Sequence, residues 1–334
     1  MTTTARKKHP QKHPLVIQPR REYTVDVGDG RQVGIAEFGP AEGRPILWFH
    51  GTPGARRQVP PNARTYAEQN GLRILGVERP GVGWSTPHLY DSFVGWARDV
   101  EQIADDLDLE HFGLIGLSGG GPYVLACAHE LPQRVVAGAV LGGVAPTRGR
   151  DAAAGGLIRL VMPLGGVIAS LRQPLGAALS GLVRALNPIS DQVFDLALGA
   201  FPEGDRRVLE RADMREMFVD DLVRGSNEAG LHSVISDFVL FTRPWGFSLR
   251  DIDVPVDFWQ GDADPLVPFS HGAHQSALVP ASSLTLRPGE GHLGGLEGAE
   301  EAIEAILSHW PRGRRKTPRK RSPRKQSPRR RAGA

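Results

Sequence analysis

The stretch 113-GLIGLSGGGPY-123 decides how the rest of the chain is read. An apolar run enters it, a serine follows, and three glycines stand in a row before a proline. Glycine at such a density between a strand-like run and a helix-like run serves one of two chemistries. It cradles a phosphate, or it clears space around an exposed nucleophile. A dinucleotide-binding loop spaces its glycines G-x-G-x-x-G, and no register of 113–124 fits. A P-loop requires Gly-Lys-Ser/Thr, and the stretch holds no lysine. Gly116-Leu117-Ser118-Gly119-Gly120 does fit G-x-S-x-G, in the strand-to-helix setting that pattern needs.

The physics assigns work to most of these residues. A serine held in a strained turn needs neighbours at −2 and +2 without side chains that would clash across it. The amide of Gly119 stands at the start of the following helix, whose dipole favours negative charge, so it is a candidate oxyanion donor. Pro122 suits a first helical turn, where no amide donor is required. Gly121 is left for close helix–strand packing. The bland alternative is a glycine-rich packing turn with no chemistry.

Outward from this turn, strand and helix signals alternate. Tyr23–Val27 and Gln32–Phe38 alternate in polarity around Gly-Asp-Gly, a hairpin signal. Continuous apolar runs at 46–49, 72–77, 112–117 and 135–141 read as buried strands. Helical stretches are expected at Pro61–Asn70, Ser92–Leu109 and Pro122–Leu131. Short apolar strands separated by helices predict an α/β fold, a parallel sheet covered on both faces. The alternation stops near Gly143. About a hundred residues of helix with Gly/Pro breaks follow, then strands at 254–260 and 282–288 and an amphipathic helix, Leu296–Trp310. The expected organisation is a disordered basic segment at 1–22, a core at 23–145, a helical insertion at 146–247, the rest of the core at 248–310 and a disordered basic tail at 311–334.

Other parts of the chain supply partners for Ser118. His50-Gly51-Thr52-Pro53-Gly54 follows the strand ending Trp-Phe, and the Thr52 amide is the candidate second oxyanion donor. His50 has two readings, a base or a loop-packing histidine, and the second is preferred. Asp264, in Gly261-Asp262-Ala263-Asp264-Pro265, follows a late strand and is the candidate orienting acid, with Asp262 its competitor. His292, in Gly289-Glu290-Gly291-His292, is the candidate base. The order Ser, Asp, His is that of α/β hydrolases.

With HGTPG (50–54), ERPGVGWS (78–85), GLSGG (116–120), GDADPLVP (261–268) and GEGH (289–292) in this order, the chain resembles the α/β-hydrolase superfamily over residues 23–310. The resemblance implies a mostly parallel eight-stranded sheet, helices on both faces and a helical lid. It implies a triad of Ser118 as nucleophile, His292 as general acid/base and Asp264 as orienting carboxylate. A covalent acyl-enzyme intermediate follows from that. Glu78 departs from the aspartate common before Arg-Pro-Gly, and a structural effect alone is expected. A serine nucleophile argues against haloalkane and epoxide hydrolases, and the HGGG loop of many lipases is absent. Proline iminopeptidases share a similar loop and insertion, but the bulky residue after their serine is glycine here. The expected function is a serine hydrolase of a small ester, thioester or amide, with the iminopeptidase as runner-up. The apolar Leu157–Leu186 stretch is expected to pack inside the lid and line an acyl pocket.

Charge divides the chain. Residues 1–21 carry six Lys/Arg and 311–334 carry twelve, with no acid in either segment. The remaining 22 basic residues face all 37 acids, so 22–310 has a net charge of −15. The tail repeats Thr/Ser-Pro-Arg-Lys/Arg at 317–320, 322–325 and 327–330. Such a tail either solubilises or makes sequence-independent phosphate contacts with nucleic acid. It has no aromatic for base stacking. A polyanion-tethered binding protein on a hydrolase fold is therefore the reading from another function class. A single cysteine, Cys127, sits in a small-apolar run and reads as packing. With no signal-peptide core and no apolar run of spanning length, a cytoplasmic protein without a membrane span is expected. His271 and His274 lack the companions of a metal site, and no metal or cofactor is expected.

Overall fold

The computed structural model describes residues 15–156, 162–199, 201–227 and 230–311. Residues 1–14 of the basic segment 1–22 and the Ser/Thr-Pro repeats lie outside the described residues. Eight strands form one sheet in the order β1-β2-β4-β3-β5-β6-β7-β8. They are β1 (Arg21–Asp26), β2 (Gln32–Phe38), β3 (Arg44–Phe49), β4 (Leu72–Val77), β5 (Phe112–Leu117), β6 (Val135–Leu141), β7 (Val256–Gly261) and β8 (Ser282–Arg287). The β1–β2 hairpin and the β2–β4 pair are antiparallel, and every other neighbour is parallel.

Alternation along the central strands sends side chains to two separate cores. In β3, Leu47 and Phe49 face one core while Ile46 and Trp48 face the other; in β5, Leu114 and Ile115 divide likewise. Helices α2 (Val94–Asp106) and α3 (Gly121–Glu130) close the first core with Trp96, Val100, Val124 and Leu125. Helices α1 (Pro61–Asn70) and α11 (Ala299–Ser308) close the second with Ala63, Ala67, Ile303 and Ile306. Each fully buried Leu, Ile or Phe contributes about 1.5–3 kcal/mol, so the two cores hold the sheet ends in place. Helix α10 (Phe269–Leu278) follows β7.

Between β6 and β7 lie α4 (Gly165–Ser170), α5 (Arg172–Leu186), α6 (Ser190–Leu198), α7 (Glu203–Glu210), α8 (Ala212–Asn227) and α9 (His232–Phe241). The expectation for Leu157–Leu186 is corrected in part over its described residues: Leu179 and Val183 do pack against Ala55, Val82, Leu231 and Val234, but the remaining large apolar side chains do not. Leu164, Val167, Leu171, Leu175 and Leu182 are 38–58% exposed, and none lines the cavity beside Ser118. The reason is the inward face of α5. Gly176 and Ser180 are buried there, and a Cβ on Gly176 would lie 2.2 Å from His232 Nδ1. Small residues bring α5 close against α9, so the leucines of the stripe 171, 175, 182 point to solvent.

The body also starts earlier than composition implies. Val16 is buried, Arg64 donates to the Ile17 carbonyl at 2.6 Å, and Arg20 and Glu37 form an ion pair. Among the described residues, no helix is long and apolar enough to cross a membrane.

Candidate active site

Ser118 directly follows β5 with φ +51°, a left-handed conformation that a non-glycine residue adopts at a cost. Its glycine neighbours make the turn possible. A Cβ on Gly116 would lie 2.6 Å from the Gly120 carbonyl oxygen, and one on Gly120 would lie 2.3 Å from that of Phe49. Gly121 lies against β6, where a Cβ would meet Val140 at 2.9 Å and the Gly143 Cα at 3.0 Å. Close packing is therefore its role.

Three chain-distant residues converge here. His292, in the loop after β8, stands 2.7 Å from Ser118 Oγ through Nε2 and 2.7 Å from Asp264 Oδ2 through Nδ1. A carboxylate only accepts, so the imidazole proton sits on Nδ1 and Nε2 accepts from the serine hydroxyl. Asp264, in the loop after β7, is fixed in turn. Its Oδ1 accepts from the amides of Leu266 (2.8 Å) and Val267 (2.9 Å), and Oδ2 from Gln260 Nε2 (3.1 Å). Asp264 and His292 are buried and Ser118 is half-buried. A hydroxyl, an imidazole and a carboxylate in this order can withdraw the serine proton as Oγ attacks. Asp262 is exposed and accepts instead from the Gly289 amide at 2.7 Å.

The Thr52 loop packs against the same turn. A Cβ on Gly119 would lie 2.3 Å from Thr52 Oγ1, so the two candidate amide donors sit on touching residues. Gln58 closes the loop on itself, accepting from the Gly51 amide (2.5 Å) and donating to the Pro53 carbonyl (3.0 Å). His50 is buried. It donates through Nδ1 to the Gly51 carbonyl (2.8 Å) and accepts at Nε2 from the Arg79 amide (3.2 Å). Burial and the Arg79 charge push its pKa well below the ordinary imidazole value, so it stays neutral and packs the loop. Glu78 binds the Arg56 guanidinium and accepts from the Trp84 amide at 2.8 Å, which is a turn-supporting role. Cys127 is buried in α3, where burial pushes its thiol pKa up. His271 and His274 bond to backbone at Ala145 and Asp151.

Three carboxylates of the helical segment were not foreseen. Asp237 of α9 binds Arg79 (2.7 Å), Tyr123 Oη–H (2.6 Å) and Thr52 Oγ1–H (2.6 Å). Asp221 of α8 accepts from the amides of Ala55 (2.8 Å) and Arg57 (2.9 Å). Asp205 of α7 accepts from the Leu293 amide (2.7 Å). Only Asp237 carries a local signal, a lone acid within the apolar run HSVISDFVLF (232–241). Nothing near Asp205 or Asp221 separates them from surface acids. Burial pushes the Asp221 carboxyl up to about 7, against the pull of its two amides.

Ser118 and His292 open into a cavity of about 330 Å³. Phe194, Leu198, Phe201, Phe218, Leu222 and Leu293 supply much of its apolar lining, with Thr52 beside Ser118.

A family model described as the α/β hydrolase fold matches residues 44–160. The chain has the α/β-hydrolase fold. Among solved structures, it is similar to a hydrolase from Pseudomonas aeruginosa. The TM-score is 0.63 at 20% identity, covering 87% of this chain and 98% of that one. At that identity the likeness speaks to the fold alone. A non-heme chloroperoxidase of Streptomyces lividans is 27% identical over 80% of this chain and 91% of its own length. A proline iminopeptidase of Arabidopsis thaliana is 28% identical, but over 38% of this chain and 34% of its own. The chain spans less than half the length of the proline iminopeptidases it matches.

Proposed function

We propose that this α/β hydrolase cleaves esters of apolar carboxylic acids through an acyl-enzyme on Ser118. The observation that carries the reading is the Ser118–His292–Asp264 hydrogen-bond chain at the base of an apolar cavity. Ser118 Oγ attacks the ester carbonyl while His292 Nε2 takes its proton. Asp264 holds the imidazole and stabilises the imidazolium. The amides of Thr52 and Gly119 receive the oxyanion. The imidazolium returns its proton to the leaving alcohol. Water, deprotonated by His292, then releases the acid and restores the serine. Helices α4–α9 act as a cap that keeps the acyl group from solvent.

The wall argues for an ester over an aminopeptidase substrate. A bound peptide ammonium needs a carboxylate free to pair with it. Among the described residues of the wall, Asp221 is the acid, and backbone amides hold both its oxygens. The test is a p-nitrophenyl ester series of increasing acyl length beside proline and alanine anilides. Turnover should rise from acetyl to longer acyl groups and fall once the chain outgrows the cavity. Ser118→Ala should lower kcat on the order of 10⁴-fold or more and abolish fluorophosphonate labelling. Faster turnover of the proline anilide than of any ester would overturn the reading.

A further inference from the structure

The cap helices meet the body in two different ways. In 203–241, Val208, Met214, Met217, Leu240 and Phe241 are buried in the two cores of the sheet. Among the described side chains of 162–199, none joins those buried cores, and seven large apolar side chains are 38–84% exposed. That half is tied to the rest by fewer contacts: Leu179 and Val183 pack against the small cluster Ala55, Val82, Leu231 and Val234, and Asp195 pairs with Arg215 at 2.6 Å. Ser180 Oγ accepts from the Leu231 amide at 2.7 Å, and Arg184 donates to the Ser226 carbonyl at 3.3 Å.

The 203–241 half also places one buried carboxylate from each of its three helices on a loop of the reaction centre. Asp205, Asp221 and Asp237 are 0–1% exposed. Asp205 carries the amide of Leu293, the residue after His292, and a Cβ on Gly291 would lie 2.4 Å from the same carboxylate oxygen. Asp221 carries the amides of Ala55 and Arg57, just past Thr52. Asp237 holds the Thr52 side chain and Arg79, and Arg79 donates to the carbonyls of His50 (2.5 Å) and Gly51 (2.8 Å). Lifting these helices would strip three buried carboxylates of their donors together with a share of the core, which is costly.

Resting on the reading of Ser118, His292 and Asp264 as the reaction centre, we infer that Asp205, Asp221 and Asp237 are positioning residues. They fix the oxyanion loop and the His292 loop from the cap side. Residues 203–227 and 230–241 are a permanent wall of the active site, and substrate enters by movement of 162–199 alone.

Amide hydrogen exchange on the full-length wild type tests the wall without needing activity. Peptides covering 53–58, 203–241 and 291–296 should exchange as slowly as β5, and 165–199 at least about tenfold faster. Exchange of 203–241 together with 165–199, faster than the sheet, overturns the inference. Kinetics on a p-nitrophenyl ester tests positioning. Asp205→Ala should lower kcat about 10–100-fold with KM within about twofold, as expected for a displaced catalytic loop. Asp205→Asn keeps an oxygen for the Leu293 amide, and the oxygen it replaces has no hydrogen-bond partner among the described residues. It should recover kcat to within about threefold of wild type. Equal loss in both variants, or a change confined to KM, overturns the positioning role. Fluorophosphonate labelling separates the two ideas: an unlabelled wild type sinks the ester reading and leaves the exchange pattern as an independent result.

Discussion

At the residue, the site depends on atoms that are missing as much as on those present. A methyl on Gly120 would press on the Phe49 carbonyl at 2.3 Å, which is backbone and cannot swing aside. Gly120→Ala should destabilise by about 1–3 kcal/mol, measured by urea melts, and should lower turnover by shifting Ser118. Asp264→Asn removes the charge that fixes the His292 tautomer and should lower kcat on the order of 10³–10⁴-fold at an unchanged melting temperature. Asp221 carries a pH signature. Its carboxyl has a folded value of about 7 against 3.8 when unperturbed, because burial disfavours the charge; Arg64 opposes the shift and Asp220 adds to it. The folded state therefore binds the extra proton between those values. The stability contribution of Asp221 is full below the unfolded value and is lost as pH rises through the folded one. Asp221→Asn lacks that loss. The melting-temperature advantage of wild type over the variant should shrink from pH 5 to pH 8, and a constant or growing advantage counts against the assignment.

At the element, the strands were readable because burial on both faces leaves no polar alternation to misread. The apolar runs 72–77, 112–117 and 135–141 are β4, β5 and β6 without a shift at either end. Helix α5 misleads because leucine spacing alone does not say which face a neighbour covers. Gly176 and Ser180 decide it, by allowing α9 to approach. Glutamine at Leu171, Leu175 or Leu182 should change stability by no more than about 0.5 kcal/mol. Gly176→Ala, whose Cβ would lie 2.2 Å from His232 Nδ1, should loosen α5. Thermal melts of these single variants separate the two faces.

At the scale of the molecule, an acidic body of net −15 is joined to a tail segment of twelve Lys/Arg. The tail is proposed to contact polyanions without sequence preference, and its effect should fade with salt. Full-length protein should be retained on DNA at low salt more than a 1–310 truncation, with the difference gone at high salt. Equal retention at low salt removes the tether. The chain alone settles the alternation of strand and helix, the turn that exposes Ser118 and the candidacy of His292 as its partner. All of these rest on short-range rules: apolar runs, glycine clearance, and loops that follow strands. Only tertiary packing decides the strand order, the choice of Asp264 over Asp262, and the seating of Asp205, Asp221 and Asp237 under the catalytic loops. A buried carboxylate and a solvated one are the same letter, and what separates them is which backbone amides the fold brings within reach.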